Sequence, residues 1–502
     1  MDKGRNSTNP YIPLLEKFSI ESMVRPEVSA RLAEVRRRSA FYRSLGADPM
    51  SLAAGCAVKV DLVRVVYPAM EELRRELTPL GLEIAEREDA DVAPGDPSDI
   101  ELERLILPLG KEADLRAKGL GRARAAVLIQ VYQMNAGEPK KFASMISPAY
   151  RSLLRAARPL RVAKGHSIIT PFREDEFLLA DLLPEGKGDY LVAINNDTMH
   201  VIDPTGDLLD PRQVSGALLN SMNDLFVIGV HRGLAVAPVI NARDESVKEG
   251  LLKNAASFAS SVGARLLDVE MPKEGRLLMG GTVIGYTDRS PPQFKDKVEV
   301  GMKLIATRPF GELAPITTYL VSALDESVVD ELEAEGLSFE ALERAKEEAV
   351  RLISTPNKAA AEVIERHLPE LGEPFDPTEH IPLTTDVTGQ GAYSVRELAD
   401  LAKVEITLYD FPLLFPEVSE FAARHFIMPN ATSGTNGGFL ILAPDGVADD
   451  IIKELRSRGY SPSVIGEVTG KGGPAVKATP RLANYIFDEA LLSALGLRDG
   501  GL

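Results

Sequence analysis

The strongest constraint on this chain is an alternation that begins near residue 190. Short β-rich runs at 190–194, 199–203, 235–240, 277–286 and 302–308 are separated by helical stretches at 211–226 and 247–262. The last third repeats the mixture, with strands at 404–408, 438–443 and 464–468 and a helix at 447–459. Strands interleaved with helices of this length predict an α/β architecture, because each sheet face is then covered by the helix that follows it. A further helix is predicted over 338–353. Ser338 caps it, Phe339, Leu342, Ala345, Ala349 and Leu352 share a face, and Glu340 and Arg344 stand at pairing distance.

The first 160 residues read differently. Residues 27–45 carry Leu32, Val35, Ala40 and Phe41 among arginines, which predicts an amphipathic helix with a solvated basic face. A second helix starts at Asp61 and runs to Leu77, with a kink or break at Pro68. The acidic stretch 89–99, with Pro94 and Pro97, is a loop or linker. The expected organisation is therefore a mostly helical extension over 1–160, α/β domains over 161–305 and 306–480, and a tail over 481–502. At 502 residues the chain is long enough to bury such cores without staples.

Composition excludes several classes. The formal charge of −17 argues against a nucleic-acid or membrane-surface binder, whose affinity comes from clustered cations. One cysteine forms no internal disulfide and no Cys-rich zinc site, and it suits a reducing, cytoplasmic compartment. Residues 1–10 lack the apolar run of a signal peptide, and the apolar stretch 225–240 is interrupted by His231 and Arg232, so no bilayer span is expected. There is no GxxxxGK[ST], HExxH or GxSxG motif, and the six histidines show no metal-ligand spacing.

What remains is a set of aspartates beside turns. Asn195-Asn196-Asp197 follows a predicted strand, Asp224 ends the run Asn220-Ser221-Met222-Asn223-Asp224, and Asp386 lies in Thr384-Thr385-Asp386-Val387-Thr388-Gly389-Gln390-Gly391. Carboxylates at strand ends offer the oxygen ligands that Mg²⁺ takes, and Mg²⁺ bridges such groups to nucleotide phosphates. Taken singly, each aspartate also reads as a helix cap or turn residue. The glycine-rich stretch 430–438 is either an anion-binding nest or a flexible turn. Cys56 follows Gly55 and precedes Lys59 near a predicted helix start. It is a small buried hydrophobe or, with that ammonium and helix end beside it, a stabilised thiolate.

In their order along residues 165–475, with a separate short match at 54–62, these segments resemble the selenophosphate synthetases, in the superfamily that includes aminoimidazole ribonucleotide synthetase. The run GCAVKVDL is similar to that family's GCGCK-type catalytic loop, and the resemblance makes Cys56 and Lys59 the catalytic pair, with Val58 in place of a second cysteine. NSMNDLFVIG (220–229) resembles NAxSDxxAMG, VGMKLIATRPFG (300–311) resembles GDxLxLTKPLG, and residues 385–391 resemble TDVTGFG. Residues 432–438 resemble TSGG with Thr435 and Asn436 inserted, and SVIGEV (463–468) fits the closing strand. The DDAAV motif survives weakly at 173–177, and a glycine-glycine-histidine turn is replaced at 267–270.

The resemblance implies a two-domain α/β (α+β) aminoimidazole ribonucleotide synthetase-like fold that pairs as a homodimer. It implies Asp175, Asp197, Asp224 and Asp386 as Mg²⁺ ligands and Asn196, Thr388, Gly389, Ser433 and Gly434 as nucleotide contacts. Arg308 would assist at the phosphates or, alternatively, serve as a surface or hinge cation. The implied chemistry converts ATP and a reduced chalcogenide, selenide or sulfide, into a phosphochalcogenide, AMP and phosphate. A ring-forming synthetase, a kinase of the thiamine-phosphate type yielding ADP, and a non-catalytic nucleotide-binding dimeric partner are the alternatives. The N-terminal helices would shield the cleft or receive a sulfur or selenium donor protein, and the 36–43 arginine face is expected to be solvated surface.

Overall fold

The computed structural model describes residues 24–47, 67–85, 160–163, 167–171, 190–199, 201–268, 277–389, 391–428, 430–486 and 489–497, with single positions 49, 140, 143, 147 and 151. Cys56, Lys59 and Asp175 lie outside the described residues, as do 61–66, 89–99, 173–177 and 269–270.

The N-terminal part holds helices α1 (Pro26–Ser44) and α2 (Tyr67–Leu77) and the strands β1 (Leu82–Ala85) and β2 (Leu160–Ala163), which pair in parallel. Pro68 is the second residue of α2 as described, and the expected kink or break there turns on residues 61–66, which lie outside the described residues.

Two larger sheets follow. The first contains β3 (Ser167–Pro171), β4 (Leu191–Met199), β5 (Arg232–Pro238), β6 (Arg265–Leu266) and β7 (Met279–Thr287), in the spatial order β3-β4-β7-β5-β6. Helices α3 (Pro211–Phe226) and α4 (Glu245–Ser261) connect its strands. Each starts at an aspartate that accepts backbone N–H bonds, Asp210 for α3 and Asp244 for α4.

The second sheet begins at β8 (Lys303–Ala306). Helices α5 (Leu313–Leu324), α6 (Ser327–Ala334), α7 (Phe339–Ile353) and α8 (Lys358–Arg366) then lead to β9 (Leu383–Asp386). Next come α9 (Tyr393–Ala402), β10 (Val404–Leu408), α10 (Pro416–Arg424), β11 (Phe439–Ala443), α11 (Asp445–Ser457), β12 (Ser463–Lys471), β13 (Ala475–Ala478) and α12 (Glu489–Ala494). The spatial order is β13-β10-β12-β8-β11-β9, which leaves β9 at an edge. The fold is mixed α/β, as expected. Among the described residues no helix is long and apolar enough to cross a membrane.

Ser338 caps α7 as expected, its hydroxyl accepting from the Ala341 N–H, but Glu340 bonds Arg25. Three other expectations are corrected. Residues 201–203 are not a strand. Val201 and Ile202 are buried, yet the Ile202 and Asp203 N–H groups both donate to the Gln213 side-chain oxygen at 3.0 Å, so a side chain replaces a sheet partner. Asn195, Asn196 and Asp197 lie inside β4, not beyond a strand end. The buried stripe of α1 is Val28, Leu32, Val35, Ser39 and Tyr42, the i, i+3/i+4 set, whereas Phe41 is exposed.

The basic side of α1 is docked in part, with Arg36 and Arg38 of the 36–43 face bonded to other elements and Arg37 left exposed. Arg25 reaches Glu333 and Glu340, Arg31 reaches Glu343, and Arg36 reaches Glu326 and the Ala323 carbonyl. On its other flank, Arg38 donates to the Thr205 carbonyl and Tyr42 to the Gly206 carbonyl. One helix therefore straps α5–α7 to the loop that precedes α3.

Candidate functional site

The aspartates sit where the two sheets meet. In β4, Asn195 and Asp197 point to one face because strand side chains alternate. The Asn195 amide donates to Asp224 at the end of α3, at 2.6 Å. The Asp197 backbone N–H donates to Ser221 Oγ at 2.7 Å, and that hydroxyl donates to the Gly281 carbonyl at 2.8 Å. Helix α3 is thereby pinned to both β4 and β7. Glycine in β7 permits the approach: Gly281 and Gly280 stand opposite Asp197 and Thr198, and a Cβ on Gly280 would lie 2.7 Å from the Thr198 Cα. Asn196 points the other way and donates to Thr282 Oγ1 at 2.7 Å.

Asp386 arrives from the second sheet. It ends β9 opposite Phe439, and one carboxylate oxygen accepts from the Thr388 N–H at 3.3 Å. Two residues earlier in β9, Thr384 donates its hydroxyl to the Val227 carbonyl at 2.6 Å, so β9 abuts the C-terminus of α3. Asp197 and Asp386 are close enough to act on each other. Burial pushes the Asp197 carboxyl up to about 6, the Thr198 N–H opposes this, and the negative charge of Asp386 adds to it. Asp197, Asp224, Asp386 and Thr388 all keep partial exposure.

The glycine-rich segment is not a surface turn. Residues 431–438 are all buried. Gly434 pairs with Thr388, and its carbonyl accepts from the Gly389 N–H at 2.8 Å. Thr432 Oγ1 accepts from the Ala392 N–H at 2.9 Å. Ser433 and Gly434 therefore lie behind the Asp386 turn, not on a surface open to a nucleotide in this conformation. Gly434 and Gly437 are packed on Glu312, where a Cβ at Gly434 would overlap its carboxylate.

Arg308 is likewise internal. It donates to the carbonyls of Asn436 and Leu352 and is 5% exposed, so it is not a surface cation. Glu312, fully buried, is the acid beside it. Burial raises the Glu312 carboxyl to about 7, while the Arg308 charge and the N–H groups of Gly311 and Glu312 pull it down. Sequence reasoning passed over Glu312. A charged residue directly after the Arg-Pro-Phe-Gly run, within an otherwise apolar stretch, was the available signal.

Oxygen-rich side chains without thiols or imidazoles suit a hard cation such as Mg²⁺, and the mutual repulsion of Asp197 and Asp386 is what such an ion relieves. Among the described residues no group of three or more His, Cys, Asp or Glu side chains forms a metal cluster. The structure thus brings Asp197 to Asp386, and links Asp224 to the same strand through Asn195.

No protein-family model matches the chain. A curated selenide, water dikinase of Methanocaldococcus jannaschii is 24% identical over 334 residues, which span 62% of this chain and 92% of that protein. The chain is a distant relative of a selenide, water dikinase. Among solved structures, tt0281 of Thermus thermophilus aligns with a TM-score of 0.42 at 17% identity, over 58% of this chain and 85% of that one. The thiamine-monophosphate kinase of Stenotrophomonas maltophilia K279a aligns at 0.42 and 15% identity, over 61% and 98%. The hydrogenase maturation protein HypE in complex with ATP aligns at 0.40 and 16% identity, over 58% and 79%.

Proposed function

We propose that the chain is an ATP- and Mg²⁺-dependent phosphotransferase of the selenophosphate synthetase type. Its substrates would be ATP, water and a reduced chalcogenide, selenide or sulfide, and its products a phosphochalcogenide, AMP and phosphate. The reading is supported by the homology to a selenide, water dikinase and carried by one observation. Asp197 and Asp386, which the resemblance assigns to the metal, come from different sheets and still sense each other's charge.

In this reading Asp197 and Asp386, with Asp224 held by Asn195, take Mg²⁺, which neutralises triphosphate charge when bound. Asn195 orients Asp224, and the Thr198 N–H fixes one oxygen of Asp197. The Asp197 carboxyl must lose its proton to serve as a ligand, so metal binding strengthens as pH rises through about 6. Asn196, Thr388 and Gly389 are the proposed nucleotide contacts near this junction. Ser433 and Gly434 would act from behind it by holding the Thr388–Gly389 turn. Cys56 would handle the chalcogen and Lys59 would steady phosphate oxygens. A cytoplasmic homodimer, with a donor protein supplying the chalcogen, completes the proposal.

Calorimetric titration of a non-hydrolysable ATP analogue, with and without Mg²⁺, tests the site. The expected result is Mg²⁺-dependent binding that Asp386→Asn weakens at least about tenfold, the loss of roughly 1.4 kcal/mol. Binding that ignores both Mg²⁺ and the substitution would refute the reading.

A further inference from the structure

Thr435 and Asn436, which interrupt the TSGG-like run, make contacts that reach well beyond their own loop. Asn436 is fully buried with φ of 51°, a left-handed conformation that asparagine tolerates better than most residues. Its side-chain amide donates to the Gly216 carbonyl in α3 at 2.7 Å and to the Ile353 carbonyl at the end of α7 at 2.8 Å. Its own carbonyl accepts from Arg308, just beyond β8. Thr435 Oγ1 donates to Asn220 Oδ1 at 3.1 Å, one helical turn before Asp224. Asn357 closes the circuit, donating to Asn223 Oδ1 at 3.1 Å and to the Gly437 carbonyl at 2.9 Å.

The other end of the same segment is fastened to the Asp386 turn. The Gly434 carbonyl accepts from the Gly389 N–H, and the Thr388 N–H in turn donates to Asp386. Within three residues the segment thus runs from the turn that orients Asp386 to the helix that carries Asp224 and, through Ser221, pins Asp197. Gly434 and Gly437 keep it against the Glu312 carboxylate.

We propose that Thr435 and Asn436 are positioning residues, a latch that fixes the first sheet's aspartates against Asp386 and so sets how strongly the site takes Mg²⁺. The assignment of Mg²⁺ to the site rests on the function proposed above. The latch itself rests on hydrogen bonds between buried partners, each of which leaves an unsatisfied group when cut.

Asn436→Gly keeps the positive φ and removes the amide, Thr435→Val keeps the shape and removes the hydroxyl, and Thr435→Ser restores the hydroxyl. Two measurements are made on the full chain: the Mg²⁺ concentration that half-saturates binding of a non-hydrolysable ATP analogue, and amide hydrogen exchange. For Asn436→Gly the half-saturating Mg²⁺ is expected to rise about tenfold, equivalent to ~1.4 kcal/mol. Thr435→Val is expected to shift the same way, and Thr435→Ser to match the parent. Exchange should quicken together at Thr388–Gly389 and at 220–226. A lower melting temperature with unchanged Mg²⁺ dependence and no paired rise in exchange would overturn the latch. If the parent protein binds no nucleotide at any Mg²⁺ concentration, the phosphotransferase reading fails. The latch is then judged on exchange alone: a rise at both places sustains it, and a rise at neither or at one overturns it.

Discussion

At the scale of single residues, the site spends stability. Asp197 has its pKa raised from 3.8 to about 6, chiefly by burial. A raised acid means the folded protein prefers the neutral form. The stability this confers is full below about pH 4 and is lost as pH rises towards about 6. Asp197→Asn removes the penalty permanently. It is expected to raise the melting temperature by about 2–4 °C at pH 7.5 and to leave it unchanged near pH 4, while abolishing the Mg²⁺ response. Scanning calorimetry at the two pH values checks the sign. Glu312 carries the same sign: burial raises its carboxyl to about 7, so the stability tied to its neutral form is full below about pH 4.5 and is lost as pH rises towards about 7.

At the scale of elements, the strap helix α1 is held mainly by its apolar stripe. Leu32 is fully buried, and Leu32→Ala is expected to cost about 2–5 kcal/mol. Arg31→Ala, which breaks a partly exposed ion pair with Glu343, is expected to cost about 1 kcal/mol or less. Chemical denaturation of the two variants separates the contributions. This helix also shows what was legible in the sequence. Its existence followed from spacing. Its docking did not, because Glu326, Glu333, Glu340 and Glu343 lie about 300 residues away and a basic face looks the same whether solvated or paired. Helix α3 and the Ser338 cap of α7 were legible because their signals are local. The segment 201–203 was misread because Gln213 supplies, from a distance, the bonds a neighbouring strand would give. The burial of the 431–438 segment was not legible for the same reason. Its glycines permit a flexible turn, and only Gly216, Asn220, Ile353 and Glu312, all remote in sequence, make it a buried tie.

At the scale of the whole molecule, the two sheets form one working unit through connections that cross between them. Three of these are the α1 strap, the Thr384 bond to the end of α3, and the latch at Thr435–Asn436. The order of Asp197, Asp224 and Asp386 was legible as a series of motifs, whereas the convergence of Asp197 and Asp386 required the fold. The large negative charge takes on a second meaning here, since Asp197 and Asp386 face each other across this junction, and under the proposed function that part of it would be neutralised by Mg²⁺ when a triphosphate binds. The most direct test is product analysis of ATP turnover by the full chain with Mg²⁺, with and without selenide or sulfide. The expected result is chalcogenide-stimulated release of AMP and phosphate, lost in Asp386→Asn. Release of ADP alone, or turnover indifferent to chalcogenide and to Asp386→Asn, would contradict it.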